Sequence, residues 1–193
     1  MKSVLLTSFL MTCAFFCHSA EAHWTLVEQE SSVNFVSTKN QHISEVQHFR
    51  KLQGQFAHQG NLQLKIDLSS IDSGIEIRDT RMRENLFLVN EFSMANLTAH
   101  LPESVLKQAI GSSMLVTLPA KLSLMGKSKT IEVKAQVSRK LDNSIVATST
   151  QPILISAADF DLVNGIEVLQ ALAGLDSIGL TVPVSFNLIF KKQ

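Results

Sequence analysis

Charged side chains that could take part in catalysis or in ligand binding are concentrated in one stretch, "IEIRDTRMRENLF" at residues 75 to 87. In a chain with 18% charged residues, seven consecutive positions here carry Arg78, Asp79, Arg81, Arg83 and Glu84. Such a group can form a catalytic cluster, clamp an anion through its guanidinium groups, or build a structural corner. Catalysis would call for a nucleophile or a base near a cleft, and no candidate lies close in sequence. Because Asp79 is placed to cap a following helix and to pair with Arg83 four residues on, we favour the structural corner.

Elsewhere the sequence offers little that could react or hold a metal ion. It contains no G-x-S-x-G nucleophile motif and no glycine-rich phosphate loop. His42, His48 and His58 are candidate metal ligands, but if residues 42 to 48 are extended the first two lie roughly 20 Å apart. His58 could approach His48 only if the chain folds back in the right register, so solvated histidines on strand faces are favoured. The segment at 159 to 165, "DFDLVNG", lacks the oxygen spacing of a calcium loop. We therefore predict no catalytic residue and no metal site.

The first 22 residues have the features of a secretory signal peptide: one lysine, an apolar stretch and a small-residue cleavage motif, Ala20-Glu21-Ala22. Cleavage there would leave residues 23 to 193, the size of one domain. Both cysteines, Cys13 and Cys17, lie in the segment to be removed, so neither is left for a disulfide, a metal site or a nucleophile. No later segment approaches the roughly 20 apolar residues of a membrane-spanning helix. We therefore predict an exported, soluble, single-domain protein.

Alternation with a period of two is the dominant pattern. In "NLQLKIDL", residues 61 to 68, apolar and polar side chains alternate, which is typical of a strand with one dry face and one wet face. The same pattern recurs at 114–124, 131–137 and 182–190, with shorter copies at 33–35, 97–101 and 153–155. Strands that are wet on one face belong to antiparallel sheets, and about eight of them predict an all-β barrel or sandwich.

Glycine and proline positions refine this strand pattern. Gly60-Asn61 predicts a turn after one strand, and Gly126-Lys127-Ser128 predicts the turn that joins two long ones. Pro119 and Pro183 fall on wet faces in mid-strand, where each removes a backbone donor, so we expect bulges or sheet edges there. Bulges bend strands, which favours a barrel.

Three segments depart from the alternation and predict short helices that cover the barrel, at 79–90, 103–110 and 156–175. In the last of them, Ser156 and Asp159 have the spacing of a capping box, and Gly174 supplies a stop. The apolar faces are expected to point inward, because a membrane barrel would carry girdles of Trp and Tyr and this chain has one Trp and no Tyr.

The interior of a small barrel is either filled by side chains or holds one small ligand. The inward faces here consist largely of Val, Ile, Leu, Ala and Phe, so any cavity between them would suit an apolar molecule. Alternation by itself leaves a packed core and a ligand cavity as equal alternatives.

The charge of the chain does not favour a nucleic-acid partner. Lysine plus arginine and aspartate plus glutamate number 17 each, and no block of like charge occurs.

Five segments, in this order, resemble the YceI-like family: "SSVNFVSTKNQHISEVQHFRKLQGQF" (31–56), "IEIRDTRMRENLF" (75–87), "AKLSLMGKSKTIEV" (120–133), "ISAADFDL" (155–162) and "SIGLTVPVSFNLIF" (177–190). The resemblance covers essentially the whole of residues 23 to 193. It implies an extended, lipocalin-like antiparallel barrel of about eight strands in the periplasm, with an apolar tunnel that takes a polyisoprenoid or quinone-type lipid. It implies binding without catalytic activity.

If the family resemblance holds, the inward apolar side chains become candidates for the tunnel wall. These are Phe35, Leu64, Ile66, Ile77, Met82, Leu86, Leu97, Val116, Leu118, Leu122, Val133, Ala135, Ile153, Ile155, Val184 and Phe186. Anion contact at the tunnel mouth is the minority interpretation of the charged stretch. Its candidate headgroup contacts are Arg78, Arg81, Arg83, Lys127 and Lys129.

The leading functional hypothesis is a periplasmic carrier or sequestering protein for an apolar, chain-like lipid. One rival is a ligand-free structural or stress-response barrel, and the other is an enzyme that acts on a lipid. The partner expected from the leading hypothesis is the lipid itself. The oligomeric state stays open, with a homodimer as one alternative.

Overall fold

A computed structural model of the protein describes residues 23–57 and 59–193. The predicted signal peptide with its two cysteines, and His58 of the three histidines, lie outside the described residues. Within the described ranges, none of the helices combines the length and the apolar character that crossing a membrane would require.

Antiparallel strands make up most of the described chain. They are β1 (His23–Leu26), β2 (Ser32–Lys39), β3 (Ile43–Phe49), β4 (Leu52–Ala57), β5 (Asn61–Asp67), β6 (Ile71–Asp72), β7 (Met94–His100), β8 (Ser113–Leu124), β9 (Lys127–Arg139), β10 (Ile145–Ser149), β11 (Ile153–Ser156) and β12 (Thr181–Lys192). Neighbours pair in the order β1, β4, β5, β7, β8, β9, β10 and β12, and β12 pairs back with β1. β2 and β11 also pair with β12, β3 pairs with β2, and β6 with β3. The result is a closed eight-stranded antiparallel barrel, and the predicted fold class is confirmed.

The hairpin of β8 and β9 shows how the alternation builds the wall. Along β8, Val116, Leu118 and Ala120 are buried, while the residues between them are exposed. The two strands pair in one unbroken register from Ser113 opposite Ser138 to Leu124 opposite Lys127. Their turn consists of Met125 at φ +50° and Gly126 at φ +72°, the two positive φ angles of a type I′ turn. The predicted turn is therefore confirmed in place, but Lys127 and Ser128 belong to β9.

Of the two predicted alternatives for the mid-strand prolines, a bulge or a sheet edge, the structure shows the sheet edge. The β8–β9 register continues through Pro119, and the β11–β12 register continues through Pro183. Each proline lies one residue beyond the end of pairing on its strand's other side: β7 pairing stops at Ala120, and β2 pairing stops at Val184. The missing N–H thus falls at a local sheet edge, where a ladder donor is dispensable.

The helices are shorter than predicted. Where a helix over 79–90 was expected, α1 (Glu76–Arg81) runs into a π-helical turn (Met82–Leu86). α2 (Glu103–Leu106) occupies the start of the segment expected at 103–110. The segment expected at 156–175 divides into a 3-10 turn (Ala157–Phe160) and α3 (Val163–Ala173).

The division falls at Asp161, whose φ of +56° is left-handed and therefore incompatible with a continuous right-handed helix. Ser156 makes no side-chain hydrogen bond at the start of the 3-10 turn, so the predicted capping box with Asp159 is wrong. The predicted stop is confirmed. Gly174 has φ +62°, and its N–H donates to the carbonyl of Ala171.

α3 lies directly against the π-helical turn because Gly165 has no side chain. A Cβ added at Gly165 would lie 2.7 Å from the carbonyl oxygen of Asn85 and 3.0 Å from Cα of Leu86. These are backbone atoms, which cannot swing aside as a side chain can. α1, the π-helical turn and α3 therefore form one cover over one end of the barrel.

Two apolar clusters occupy the barrel. The first surrounds Trp24, whose ring stacks on Phe56 with centroids 5.0 Å apart. The second lies beneath the helical cover and includes Phe160, Leu162 and Ile166. Side chains of both clusters surround the cavity described next.

Candidate ligand-binding cavity

An apolar cavity of about 230 Å³ lies inside the barrel. All 36 residues that line it are Val, Ile, Leu, Phe or Ala. They come from the inward positions of the strands, from the helical cover and from α2. The interior therefore contains unfilled space in addition to the packed clusters. None of the described residues in its wall can donate or accept a hydrogen bond through a side chain.

The cavity is long and narrow. On β12 alone, its wall runs from Val182 to Phe190, which is about 27 Å along a strand at about 3.4 Å per residue. With the tilt of about 40° usual in barrels, this corresponds to about 20 Å along the barrel axis. A barrel of eight strands has an interior just wide enough for side chains or for one small ligand, so the cross-section of the cavity is small. The shape suits a chain better than a compact molecule.

Residues of the helical segments line the cavity at both ends of the barrel. Val105 of α2 is almost fully buried and belongs to the first cluster. At the other end, Leu162 and Ile166 line the cavity together with Leu86 and Phe87. Both ends of the barrel are thus covered by apolar side chains from helical or turn segments.

The structure places the predicted wall residues around this cavity, except for Ile77 and Met82. Ile77 is 58% exposed because it lies on the helix α1 and not on a strand of the barrel wall, so its placement in the wall is wrong. Met82 is buried in the second cluster but does not reach the cavity. Contact of the other fourteen with a ligand stays a prediction.

Several wall residues were missed by sequence reasoning. Phe49 and Phe87 both line the cavity, and their ring centroids are 5.9 Å apart. The ring of Phe49 also contacts that of Phe35, with 5.6 Å between the centroids. On β3, Glu45 and Gln47 lie on the same face of the strand as Phe49. Because these two residues are polar, the sequence of β3 does not show the alternation of apolar and polar residues. Phe87 follows the π-helical turn, where neither a strand period nor a helix period applies.

The charged stretch forms a structural corner, but its hydrogen bonds and ion pairs differ from those predicted. Asp79 is buried inside α1, and its Oδ1 accepts a hydrogen bond of 2.9 Å from the N–H of Ser73. The helix begins at Glu76, three residues before Asp79, and no side chain caps it. Arg83 pairs with Glu76 at 2.8 Å. The predicted cap by Asp79 and its pairing with Arg83 are therefore wrong, and the Asp79 carboxylate instead fixes the turn that leads into α1.

The three arginines of this corner are all engaged by protein groups. Arg78 forms an ion pair with Glu45 of β3. Arg81 Nη1 donates to the carbonyl of Leu172 on α3 at 3.1 Å. These contacts tie α1 to the barrel rim and to α3. The hydrogen bond from Lys39 Nζ, followed by that from Arg78, holds the pKa of Glu45 below its ordinary value in spite of partial burial.

The two lysines lie on β9, beside the 3-10 turn that precedes α3. Lys127 Nζ is 2.9 Å from Asp161, and Lys129 Nζ is 3.2 Å from Asp159. The hydrogen bond to Asp161 and the charge of its carboxylate raise the pKa of Lys127. Headgroup contact by these lysines and by the three arginines stays a prediction, and any such contact would have to compete with the partners they have here.

Histidine and carboxylate side chains form a surface ion-pair group on β3 and β6. His48 Nε2 lies 3.3 Å from Asp72 Oδ2, which also contacts Arg50 at 2.6 Å. Hydrogen bonds from the N–H of Gly74 and from Arg50 lower the pKa of Asp72. Across residues 23–57 and 59–193, no three His, Cys, Asp or Glu side chains are close enough together to hold a metal ion.

A model of the YceI-like domain matches residues 24–190 of the chain. Among solved structures, a polyisoprenoid binding domain from Saccharophagus degradans, implicated in plant cell wall breakdown, is 37% identical with a TM-score of 0.85. That match covers 88% of this chain and 98% of the other. A comparison with curated proteins gave no match.

BcnA from Burkholderia cenocepacia is 20% identical with a TM-score of 0.65, over 85% of this chain and 98% of its own. At that identity the likeness concerns the fold alone, and the fold agrees with the barrel described above. The domain match covers nearly all of the described residues, so the resemblance seen in the sequence is confirmed. The chain belongs to the YceI-like family.

Proposed function

We propose that this protein binds a long, apolar, chain-like lipid of the isoprenoid type inside its barrel. The observation that carries the proposal is the long, narrow cavity with a wholly apolar wall. Each methylene group that leaves water for such a wall contributes about 0.8 kcal/mol. A chain of many such groups can therefore bind tightly without any polar contact.

The isoprenoid type, polyprenyl or quinone-like, is supported by kinship. The Saccharophagus degradans domain, 37% identical, is described as polyisoprenoid binding. An isoprenoid is a slender branched hydrocarbon, and a wall of branched Val, Ile and Leu side chains with several Phe rings offers it dense dispersion contacts.

We further propose that the protein acts by binding and not by catalysis. The 36 wall residues include no nucleophile, acid or base. The proposed role is to carry or sequester the lipid in the periplasm, after export directed by residues 1 to 22. Support for export comes from the charge, the apolar stretch and the Ala20-Glu21-Ala22 motif of that segment.

Protein purified under native conditions, without detergent, from the periplasm of a producing host tests this proposal. We expect N-terminal sequencing to read His23-Trp24-Thr25, and solvent extraction followed by mass spectrometry to release an isoprenoid lipid. Protein that is empty when isolated and does not bind an added prenol would contradict lipid carriage. A prenol that is chemically altered after incubation would identify an enzyme instead. An acylated Cys13 or Cys17 would contradict the soluble form and the removal of both cysteines with the signal peptide.

A further inference from the structure

Backbone hydrogen bonds leave part of the barrel wall open between β9 and β11. β10 pairs with β9 from Ala135 to Arg139, and one further bond of 3.0 Å joins the N–H of Thr150 to the carbonyl of Lys134. β11 then pairs with β12 alone. In the described part of the chain, no backbone pairing joins residues 127–133 of β9 to β11. We call this interval the β9–β11 seam.

The seam leads directly to the cavity. Ile131 and Val133 line the cavity from the β9 side of the seam. Ile153 and Ile155 line it from the β11 side. Separation of the two strand edges would therefore expose the apolar interior along the flank of the barrel, without any shift of β8, which stays paired with β9 along its whole length.

Two ion pairs cross the seam near the helical cover. They are Lys127 with Asp161 and Lys129 with Asp159, at 2.9 Å and 3.2 Å. All four side chains are about half exposed. Ion pairs with this exposure contribute little stability and are screened by salt. Beneath them, Ile131 and Ile155 pack against the second cluster, so the closure is apolar inside and ionic outside.

The alternative routes into the cavity are more obstructed. At one end, Val105 is fully buried within the first cluster. At the other, α3 lies so close to the π-helical turn that Gly165 has no room for a Cβ, and Arg81 ties α1 to Leu172. A chain that threads through either end must displace packed helical segments. A chain that enters through the seam breaks no backbone hydrogen bond.

We propose that the β9–β11 seam is the entrance through which the lipid chain enters and leaves the barrel, and that the two ion pairs are its latches. This inference rests on the proposed lipid-binding function and adds the route to it. The lipid chain enters laterally between the edges of β9 and β11. The two ion pairs slow its entry and exit, and the barrel stays folded throughout.

Cross-linking across the seam tests the route. Residues 23–193 contain no cysteine, so Lys129→Cys with Asp159→Cys introduces one reactive pair that a short bismaleimide can join. The probe is geranylgeraniol that carries a fluorescent anthraniloyl group, and stopped-flow fluorescence gives its uptake rate. We expect uptake to slow at least tenfold when the seam is joined, with the melting temperature of the empty protein unchanged or raised.

Glu30 and Lys191 provide a matched control pair. Their ion pair is 3.0 Å long and about equally exposed, but it joins β12 to the turn after β1, where the N–H of Val27 already bonds to Ile189. The same cross-link there should leave uptake unchanged. Equal uptake by the seam-joined and unjoined proteins would overturn the entrance while lipid binding stands. A parent protein that binds no prenol would overturn both proposals.

A second variant tests the latches without a cross-link. Asp159→Asn with Asp161→Asn removes both ion pairs, and asparagine tolerates the left-handed backbone at position 161. At low salt we expect uptake to quicken roughly two- to fivefold, the range that exposed ion pairs contribute. The parent should approach this rate as salt rises, whereas the variant should be insensitive to salt. Parallel salt profiles for parent and variant would overturn the latch role.

Discussion

Ala135→Trp should remove most of the lipid binding and leave the barrel folded. Ala135 lies at the centre of β9, is buried and lines the cavity opposite Val116 of β8. An indole placed there would project into unfilled space and obstruct the narrow passage. It would displace roughly four methylene groups of the lipid, each worth about 0.8 kcal/mol when buried. The loss of about 3 kcal/mol corresponds to a rise in Kd of roughly 100-fold.

The melting temperature of the empty protein separates a cavity from a packed core. If the interior were filled to crystal-like density, the same change would be overpacking and would cost about 1 to 3 kcal/mol or more. Both proteins must be compared without lipid, because a bound ligand raises the melting temperature by mass action. Strong destabilisation of the empty variant would contradict the presence of usable space at this position.

Leu115→Trp is the matched control for Ala135→Trp. Leu115 is on the neighbouring strand opposite Gln136, and its side chain is 74% exposed on the outer face. The same indole is added within the same hairpin, but outside the barrel. We expect its affinity for anthraniloyl geranylgeraniol to match that of the parent. Equal weakening by both variants would show that the effect does not arise in the cavity.

Trp24→Ala should have the largest effect on stability. Trp24 is 1% exposed in β1, the strand that closes the ring by pairing with both β4 and β12. Its ring stacks on Phe56, and the charged groups of Arg139 and Lys192 each lie 5.8 Å from its centroid. Truncation of a buried Trp to Ala typically costs about 3 to 5 kcal/mol. Urea unfolding followed by circular dichroism measures this loss.

Leu115→Ala gives the reference for an exposed apolar side chain and should change the free energy of unfolding by less than about 0.5 kcal/mol. Trp24 does not line the cavity, so Trp24→Ala protein that is still folded should lose much less lipid affinity than Ala135→Trp. The two variants thus separate stability from binding. A loss of stability below about 1 kcal/mol for Trp24→Ala would contradict its role at the closure of the barrel.

The strands and the barrel could be predicted because a dry face repeats every second residue. β8 shows the rule clearly, since its buried positions coincide with the apolar ones from Val116 to Leu124. The helices could not be bounded in the same way. A left-handed residue at Asp161 divides one of them, and close packing at Gly165 accompanies a π-helical turn in another segment. Both features depend on tertiary contacts that no local period encodes.

The cavity wall was predictable where it consists of regular strands and was missed elsewhere. Val133 and Val184 follow from alternation, whereas Phe87 lies in an irregular segment and Phe49 shares its face with polar residues. The charged corner was harder still. Arg78 is paired with a residue 33 positions away, and Arg81 bonds to a carbonyl 91 positions away. Spacing rules for a single helix cannot identify such partners.

Methyl-resolved NMR during a titration with geranylgeraniol tests most directly whether the barrel interior holds the lipid. The protein would carry labelled methyl groups in Ala, Ile, Leu and Val. We expect large shifts and intermolecular contacts at wall residues such as Ala135, Ile131 and Val184, and none at the exposed Leu115 and Leu141. Shifts confined to outer methyl groups, with the wall unchanged at saturating prenol, would contradict lipid binding inside the barrel.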